Sequence, residues 1–343
     1  MKIIVDAMGG DNAPDEIVRG ALMAAAGGKF EIILTGDEVK ILVSLRRLGY
    51  PAPPLGVTIR NASQVVEMSD DPTAAIREKK DSSMVVGLNL TRDGVGDAMV
   101  SAGSTGALLT GATLIVKRVK GIRRAALAPV VPCKNGKLLI IDCGANVECT
   151  PEYLLQFAFM GSYYAERVLG KYKPRVGLLN NGTEREKGTS LQIETYALLE
   201  RASLDGSINF IGNIEGKELI MGGCDVVVCD GFSGNVLLKT LEGAATFIMS
   251  EVKSVFMRNA VSKIAALLVN RNIRVLRERM DPDKIGGTAL LGISRPVIKA
   301  HGSSNARAIY SAILQAEAAV NADIAVKLSQ NIDRMKIDAK SEG

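Results

Sequence analysis

The stretch Ser101-Ala-Gly-Ser-Thr-Gly-Ala107 decides the fold class of this 343-residue chain. It joins a short apolar run, Ala98 to Val100, to a helical pattern from Leu108 to Val116. A strand that turns into a helix through small and hydroxyl residues leaves N–H groups unpaired at the start of the helix. Together with the helix dipole, those donors form a site for an anion the size of phosphate. Small residues at such a turn also let a helix pack close to a sheet, so this one segment is consistent with either role.

Strands and helices alternate along the whole chain. Short apolar runs rich in Val and Ile predict strands that are buried between layers of helices. The predicted strands are Lys2–Asp6, Glu31–Thr35, Gly56–Arg60, Asp97–Ser101, Leu138–Asp142, Arg175–Asn180, Ile208–Gly212, Asp225–Asp230 and Pro296–Ala300. The predicted helices span about 14–26, 37–48, 82–92, 105–118, 151–169, 188–203, 234–258 and 302–330.

This alternation predicts an α/β protein with a mostly parallel sheet, because strands separated by helices pair through right-handed crossovers. The chain has 343 residues, of which 47% are hydrophobic, and is long enough for one large domain or two smaller ones. We predict one α/β domain over residues 1–343, in which residues 245–285 form a protruding helical segment.

Composition excludes several classes of function. One histidine and five cysteines without C-x-x-C spacing predict neither a metal site nor a disulfide framework. The net charge of +5 is concentrated in residues 251–284, with eight basic and four acidic residues, which argues against a nucleic-acid partner. The first apolar run, Ile3–Val5, is too short for a signal peptide, and no stretch of about 18 uncharged apolar residues follows it. We therefore expect a cytoplasmic protein.

Polar segments follow several predicted strands, and each combines glycine with Asp, Asn, Ser or Thr. In parallel sheets, ligands bind beyond the carboxyl ends of the strands. We therefore predict one composite polar site at a single edge of one sheet. Gly94-Val-Gly96 lacks the third glycine of a dinucleotide motif, and Lys187-Gly188 reverses the order of a P-loop, so we expect no nucleotide cofactor. Besides Ser101–Ala107, the segments are Asp6–Pro14, Asp142–Asn146, Asn180–Thr189, Asp230–Asn235 and His301–Asn305.

Taken together, the motifs resemble the bacterial phosphate acyltransferase family from the first residue to about residue 320. They are Asp6-x-Met8-Gly9-Gly10-Asp11, Ser101-Ala-Gly-x-Thr-Gly-Ala107, Asp142-x-Gly-Ala-Asn146, Asn209-Phe-x-Gly-Asn213-x-Glu215-Gly216, Cys229-Asp-Gly-Phe-x-Gly-Asn235 and His301-Gly302-Ser303. The resemblance implies an enzyme that makes acyl phosphate from acyl-acyl carrier protein and inorganic phosphate, without a cofactor. The product would serve a downstream glycerol-3-phosphate acyltransferase in phospholipid synthesis.

The same resemblance implies a three-layer α/β/α sandwich, similar to phosphate acetyltransferases and isocitrate- or isopropylmalate-type dehydrogenases. It also implies a homodimer and peripheral association with the inner face of the cell membrane. The departures from the family pattern are local. Ser104 stands where the family usually has Asn, and Asn181-Gly-Thr-Glu184, Thr288-Ala289 and Ile293-Ser-Arg295 also differ. The resemblance therefore predicts the reaction but not the loop detail or the substrate preference.

The proposed chemistry requires a held phosphate and donors for the developing oxyanion. It needs little acid catalysis, since the leaving thiol has a pKa of about 8.5, and phosphate is already an anionic nucleophile. We assign phosphate binding to Gly103, Ser104, Thr105 and Gly106. As candidate catalytic residues we take Lys187, Asn235 and His301. As positioning residues we take Asp6, Gly9, Gly10, Asp142, Asn146, Asp230 and Ser233. The three carboxylates among them would repel phosphate, so we interpret them as positioning groups or as partners of Lys187.

Each of these residues also has a structural interpretation. Lys187 is consistent with a solvated surface charge, Asn235 with a helix cap, and His301 with a packing residue. Cys143 and Cys229 lie inside motifs, and an acyl-cysteine intermediate is an alternative to simple packing.

The basic segment 251–284 contains an apolar hexad, Ile264-Ala-Ala-Leu-Leu-Val269, between Lys263 and Arg271. One hypothesis is a helix–helix core contact, including one within a dimer. Another is a helical tip that enters an anionic bilayer surface. A third is that the positive surface, with Arg123-Arg124, docks an acidic carrier protein. The candidate contact residues are Ile264, Leu267, Leu268, Arg271 and Arg274.

Two other functions remain open from the sequence. The related fold also serves short-chain transacylases that use coenzyme A thioesters. A non-catalytic scaffold for lipid-synthesis enzymes is the third hypothesis, although it would not need polar strand ends.

Overall fold

The computed structural model describes residues 1–279 and 286–336. Its strands are β1 Lys2–Asp6, β2 Glu31–Gly36, β3 Val57–Asn61, β4 Ala98–Ser101, β5 Ala126–Ala128, β6 Val130–Cys133, β7 Gly136–Ile141, β8 Arg175–Leu179, β9 Asn209–Ile214, β10 Val226–Val228, β11 Thr288–Leu291 and β12 Val297–Lys299. All nine predicted strands are present within two residues of their predicted bounds, whereas β5, β6 and β11 were not predicted.

The α-helices are α1 Asp15–Ala25, α2 Glu38–Arg47, α3 Pro72–Glu78, α4 Ser83–Arg92, α5 Thr105–Gly111, α6 Pro151–Arg167, α7 Ser190–Leu204, α8 Gly216–Ile220, α9 Gly231–Met257, α10 Ala260–Arg279, α11 Ala306–Ala322 and α12 Ile324–Gln330. A π-helical turn, Ala112–Val116, continues α5, and a 3₁₀ turn covers Ile332–Met335. The predicted helix 302–330 is divided at Asp323, whose φ of 52° ends α11. The short helices α3 and α8 were not predicted.

The strands form two sheets. The seven-stranded sheet has the order β3-β2-β1-β4-β12-β11-β5, and the five-stranded sheet has the order β6-β7-β10-β8-β9. In the first sheet only β11 runs antiparallel to its neighbours, and in the second only β6 does.

The two sheets are joined where β5 leads into β6. The Cys143 N–H donates to the Leu127 carbonyl at 3.0 Å, and the Ile140 N–H donates to the Pro129 carbonyl at 3.0 Å. Thus β7 runs antiparallel to β5, while β5 runs in the same direction as β4. The parallel strands of the second sheet therefore point opposite to those of the first.

This reversal corrects one prediction from the sequence. The polar strand ends do not lie on one edge of one sheet, because they belong to two sheets with opposed strand directions. The reversal is produced by β5, β6 and β11, which are only three or four residues long. Segments this short carry no periodic signal that distinguishes them from loops.

Helices cover both faces of the sheets. One continuous core joins α1, α2, α6, α7 and α11 to one face of both sheets. Helices α3, α4 and α5 cover the other face of the first sheet, and α8 with the start of α9 covers that of the second. The predicted three-layer α/β/α class is therefore confirmed.

Helices α9 and α10 pack against each other, and beyond its first turns α9 is mostly exposed. In α10 the less exposed residues Ser262, Ala266 and Val269 mark the side turned toward α9. By contrast, Ile264, Leu267 and Leu268 are 61%, 75% and 81% exposed, respectively. The hypothesis of a helix–helix core contact is therefore wrong for these three residues within one chain. Residues 280–285, which include the predicted basic residue Lys284, lie outside the described part of the chain.

Among the described helices, none combines the length and the apolar content needed to cross a bilayer.

Candidate active site

Three loops meet at the carboxyl edge of the first sheet, and we call residues 6–12, 101–106 and 300–305 together the cradle. The Ser101 hydroxyl donates to Asp6 Oδ2 at 2.6 Å, and the Gly103 N–H donates to Ser101 Oγ at 3.1 Å. The Asp11 N–H donates to the Gly302 carbonyl at 2.8 Å. These bonds hold the loops after β1, β4 and β12 as one unit, as the sequence predicted for these three segments.

The glycines of the first loop are required by this close approach. A Cβ on Gly9 would lie 2.6 Å from the backbone nitrogen of Gly103. Gly10 has a φ of +98°, and its Cβ would lie 2.9 Å from the Gly302 carbonyl oxygen. Only glycine combines that backbone conformation with the available space.

The four residues that were predicted to bind phosphate differ in their hydrogen bonds and in their exposure. Ser104 caps α5, because its Oγ accepts a hydrogen bond from the Ala107 N–H at 3.4 Å, and its own hydroxyl proton remains available. Thr105 is exposed and Gly106 is half-buried, at the start of the helix, where N–H groups lack intrahelical acceptors. The Gly103 N–H is instead used inside the loop, so its predicted role as a phosphate donor is not supported.

Asp6 is buried beneath the cradle and holds two of its loops together. Its side chain is 1% exposed, and it accepts hydrogen bonds from Ser101 and from the Met8 N–H at 3.2 Å. The pKa of Asp6 is raised above its ordinary value, because burial outweighs the hydrogen bonds from Ser101, Ser83 and the Met8 and Gly9 amides, which lower it. A carboxyl group with these partners is fixed in place and holds the loop. Its role in positioning substrate stays a prediction.

Lys299 lies in the same place and was missed by the sequence analysis. It is the last residue of β12, is 7% exposed, and donates from Nζ to the carbonyls of Ala102, at 3.3 Å, and Ala300. Burial lowers the pKa of Lys299 to about 8, and Asp6 and Asp11 act in the opposite direction. A lysine at the junction of a strand and a polar loop is ordinarily exposed. The sequence signal, a lysine directly before Ala300 and His301, was therefore weak.

His301 is exposed at the rim of the cradle. Its Nδ1 accepts from the Ser303 N–H at 3.3 Å and lies 2.9 Å from Ser303 Oγ. This pattern assigns the neutral ring proton to Nε2, which is free to donate toward a ligand. Asn12 Nδ2 donates to the Ser303 carbonyl at 3.0 Å and so fixes the His301 loop.

A second group of predicted residues lies where the two sheets join. Asp142 is completely buried and accepts from the N–H groups of Leu127, Ala145 and Asn146 at 2.8, 3.1 and 2.7 Å. The pKa of Asp142 is raised above its ordinary value, because burial outweighs these hydrogen bonds, which lower it. Asn146 Nδ2 donates to Asp142 at 3.0 Å and to the Ala125 carbonyl at 2.8 Å. Asp142 and Asn146 therefore shape this loop and hold it against β5.

The start of α9 adjoins that loop. Asp230 caps the helix by accepting from the Ser233 N–H and hydroxyl, both at 2.8 Å. The interpretation of Asn235 as the cap is wrong, because the helix begins at Gly231 and Asn235 lies in its first turns. A Cβ on Gly144 would lie 3.6 Å from Asn235 Cγ, so the exposed Asn235 side chain lies beside the 142–146 loop.

The third predicted catalytic residue stands apart. Lys187 is exposed in the loop before α7, and its carbonyl accepts from Asn180 Nδ2 at 2.9 Å. Asn213 Nδ2 donates to the Glu184 carbonyl at 2.7 Å and fixes the same loop. No hydrogen bond or ion pair within residues 1–279 and 286–336 connects this loop to the cradle.

Helix α9 connects the first two groups. Lys239 lies two turns into α9 and acts electrostatically on both Lys299 and Cys143. Ala145 packs against the same apolar cluster as Leu109 of α5. The cradle and the 142–146 loop therefore lie close to each other, with α5 and α9 as neighbours.

The cysteines in the motifs are poor nucleophiles. Burial raises the pKa of Cys143 and of Cys229, and their sulfurs contact the carbonyls of Gly234 and Asp142 at 3.5 and 3.4 Å. The nucleophilic form of cysteine is the thiolate. The geometry therefore favours the packing interpretation over an acyl-cysteine intermediate. Within the described residues, no group of three or more His, Cys, Asp or Glu side chains is placed to hold a metal ion.

Two opposed, mostly parallel sheets covered by helices give this chain an α/β fold that solved phosphotransacylases share. A phosphotransacetylase from Streptococcus pyogenes has this fold with a TM-score of 0.63 at 21% identity, covering 95% of this chain and 94% of its own. A branched-chain phosphotransacylase from Enterococcus faecalis has a TM-score of 0.55 at 16% identity, covering 93% of this chain and 100% of its own. A 4-hydroxythreonine-4-phosphate dehydrogenase from Klebsiella pneumoniae has a TM-score of 0.54 at 14% identity, with 93% and 99% coverage.

Residues 1–327 match the family described as fatty acid synthesis protein. The phosphate acyltransferase of Anoxybacillus flavithermus is 46% identical over 338 residues, which cover 98% of this chain and 100% of the relative. That of Acetivibrio thermocellus is 44% identical over 339 residues, with 98% of both chains covered. The chain therefore belongs to the fatty acid synthesis protein family, and the resemblance drawn from the motifs is confirmed.

Gly9 offers a test of the cradle. We expect Gly9→Ala to weaken the binding of inorganic phosphate about tenfold. The added Cβ would overlap the Gly103 nitrogen, and the loop can relieve this overpacking only by moving away from its phosphate-binding position. A tenfold loss of affinity corresponds to about 1.4 kcal/mol. Titration calorimetry measures the affinity. The control is Gly27→Ala, since the nearest atom to a Cβ there is 3.6 Å away. Unchanged phosphate affinity in Gly9→Ala would contradict the cradle as the anion site.

Proposed function

We propose that this protein transfers an acyl group from a thioester to inorganic phosphate and releases an acyl phosphate. The observation that carries the proposal is the cradle, which offers the Ser104 hydroxyl and the Thr105 and Gly106 amides to an anion beside a buried lysine. The named relatives are phosphate acyltransferases that match along nearly their whole length, which supports the same reaction here.

The reaction follows from what these groups can do. A phosphate oxygen held in the cradle attacks the thioester carbonyl carbon, a C–O bond forms, and the carbonyl oxygen becomes an oxyanion. The C–S bond then breaks, and the thiol departs as a thiolate, which requires little acid assistance because its pKa is about 8.5. No activating base is needed, since phosphate is already anionic. Donors that stabilise the oxyanion are the main requirement on the protein.

Asn235 and His301 are the candidates for that stabilisation. Both are exposed polar groups, one at the start of α9 and one on the rim of the cradle. Lys187 remains a catalytic candidate only if the loop before α7 approaches the cradle when substrate is bound. The proposal assigns no resident metal or cofactor to the reaction.

A long acyl chain is the proposed donor group. Exposed apolar side chains lie next to the site: Met68 is 57% exposed with its Cε 3.6 Å from a Cβ on Gly302, and Phe232 is 62% exposed in the first turn of α9. Exposed apolar groups at the mouth of a polar site are typical of a path for an apolar substrate.

Acyl carrier protein is the proposed donor, and a basic recess supports it. Arg118, Arg123, Arg124 and Lys336 line a cavity of about 560 Å³ together with Glu152 and Tyr153. The recess adjoins the 142–146 loop, because Asn146 donates to the carbonyl of Ala125. Complementary charge of this kind selects an acidic protein partner. Coenzyme A as the thiol carrier of a short chain is the alternative.

The product would then be the acyl donor for a glycerol-3-phosphate acyltransferase in phospholipid synthesis. A homodimer, and a cytoplasmic location with peripheral contact to the inner face of the membrane, complete the proposal. The outward apolar face of α10 supports the membrane contact, since Arg271 and Arg274 follow it within two turns. A non-catalytic scaffold is the remaining alternative.

The direct test combines purified protein, long-chain acyl-carrier protein and phosphate, with acyl phosphate and loss of thioester as readouts. Phosphate-dependent turnover of the carrier-protein substrate supports the proposal. Turnover only of short coenzyme A thioesters would favour the alternative enzyme. No phosphate-dependent loss of either thioester would leave the scaffold as the explanation and overturn the proposed reaction.

Ser104 is the most informative residue to change. We expect Ser104→Ala to raise the KM for phosphate about tenfold or more, since a hydrogen bond to a charged group contributes about 1.5–3 kcal/mol. Ser104→Asn should recover most of the affinity, because Asn both caps a helix and donates a hydrogen bond. Steady-state kinetics at fixed thioester measures the effect. An equal loss in both variants would argue against a role of the side chain in phosphate binding.

A change at Arg124 distinguishes acyl carrier protein from coenzyme A as the thiol carrier. We expect Arg124→Glu to raise the KM for acyl-carrier protein about tenfold and to leave the KM for an acyl-coenzyme A unchanged, because only the protein substrate covers the basic recess. The matched control is Arg46→Glu on the surface of α2, because Arg46 does not line the recess. If the charge reversal leaves the carrier-protein KM unchanged, the recess is not its docking site.

The membrane hypothesis depends on Leu267 and Leu268. We expect the double change Leu267→Ser and Leu268→Ser to reduce binding to anionic vesicles about tenfold or more, because each buried CH₂ group contributes about 0.8 kcal/mol. Vesicle flotation measures binding, and kcat on soluble substrate should not change. Val39→Ser on α2, where the side chain is 70% exposed, is the control. Unchanged flotation would contradict the membrane contact.

A further inference from the structure

Lys299 is the buried lysine beside the cradle, and the reaction described above assigns it no step. Lysine is almost never buried without an ion-pair partner. Here no carboxylate of the described residues lies within 4.0 Å of Nζ, and its acceptors are the carbonyls of Ala102 and Ala300. An ammonium has three donors. One of them therefore has no acceptor within the described part of the chain.

The position of Lys299 relates it to all three loops of the cradle. In the parallel pairing of β12 and β4, Lys299 is opposite Ser101. Its two acceptors lie in two cradle loops, because Ala102 directly follows Ser101 and Ala300 is the first residue of the loop 300–305. Gly10, in the third loop, would place a Cβ 2.9 Å from Ala102 Cβ. The ammonium therefore lies beneath the junction where the loops meet.

The charged groups around Lys299 come from several elements. Asp6 at the end of β1 and Asp11 in the following loop act on it as negative charges, and Lys239 of α9 acts as a positive one. His301 follows two residues later in the same loop. An ionised Asp6 beneath the cradle would repel phosphate, and a cation at the position of Lys299 offsets that repulsion.

We propose that Lys299 is the buried counter-charge of the phosphate site, where its ammonium holds the Ala102 and Ala300 carbonyls and balances the charge of Asp6 and of bound phosphate. Lys299 is thus a positioning residue that acts through the cradle loops. The inference rests on the proposed function for the identity of the ligand as phosphate, but its charge linkage is measurable without any acyl transfer.

A dependence on pH follows from this placement. Burial lowers the pKa of Lys299 to about 8. A bound anion favours the ammonium, so phosphate binding raises that pKa and takes up a proton when the pH is near or above about 8. The KM for phosphate should therefore rise above about pH 8, by up to about tenfold per pH unit.

The stability of the free protein changes with pH in the opposite sense. The pKa of Lys299 lies below the ordinary lysine value of 10.5, so the folded state favours the neutral amine. The resulting cost to stability is fully present below about pH 8 and is relieved as the pH rises toward 10.5. Replacing Lys299 by an uncharged residue should therefore not destabilise the protein near neutral pH through loss of charge.

Two variants test the proposal. Lys299→Gln keeps N–H donors for the two carbonyls but has no charge, and Lys299→Met removes both. Lys137→Met, at an exposed strand position, is the matched control. Phosphate binding is measured by calorimetry at about pH 8.5 in two buffers of different ionisation enthalpy, which gives the proton uptake. Thermal unfolding of each variant shows whether it is folded.

We expect proton uptake in the wild type and in Lys137→Met, and none in the two Lys299 variants. Both Lys299 variants should bind phosphate at least tenfold more weakly at neutral pH. Their KM for phosphate should no longer rise above pH 8. Their kcat at saturating phosphate should change little. Wild-type affinity and proton uptake in Lys299→Gln would overturn the inference. So would a wild type that binds phosphate without proton uptake, a measurement that needs no variant. Phosphate binding with linked uptake but no acyl transfer would support the inference and overturn only the proposed reaction.

Discussion

The hydrogen bond from Ser101 to the buried Asp6 carboxylate is the contact on which the site depends. It joins two neighbouring strands of the first sheet at their carboxyl ends, and Gly103 is attached to it in turn. A buried carboxyl group that loses its hydrogen bonds is costly, so this arrangement has few alternatives. Beside this contact Gly9 passes so close to Gly103 that a Cβ on Gly9 would lie 2.6 Å from the Gly103 nitrogen.

The second sheet also has a buried aspartate at the end of one of its strands. Asp142 also follows a buried strand, is also inaccessible to solvent, and also gathers amide donors from its own loop. It differs in one respect, because the Leu127 N–H comes from the strand that joins the two sheets. One buried aspartate thus shapes the cradle, and the other fixes the neighbouring loop and the sheet junction. Helix α9 starts at that junction, and its Lys239 acts electrostatically on Lys299 beneath the cradle.

Lys299 illustrates how a functional site departs from ordinary folding rules. A buried charge without a direct ion-pair partner lowers stability, and folding alone would favour an apolar residue at the end of β12. In the proposed role, the ammonium of Lys299 offsets the charge of Asp6, so that the site can accept a multiply charged anion above a buried carboxyl group. Local violations of folding preference are expected at functional sites.

The sequence alone determined the α/β class, the bounds of the long elements, the glycine-rich loops and the family, because these depend on local periodicity and short motifs. It also predicted correctly that the loops at Asp6, Ser101 and His301 meet, since they follow strands of one parallel sheet. Only the tertiary structure decided that Asp142 and Asp230 belong to a second, reversed sheet, that Gly103 is used inside its loop, and that Lys299 is buried. The physical reason is common to all three: strand direction, hydrogen-bond partners and burial are set by residues far apart in the chain, and three-residue strands leave no periodic trace.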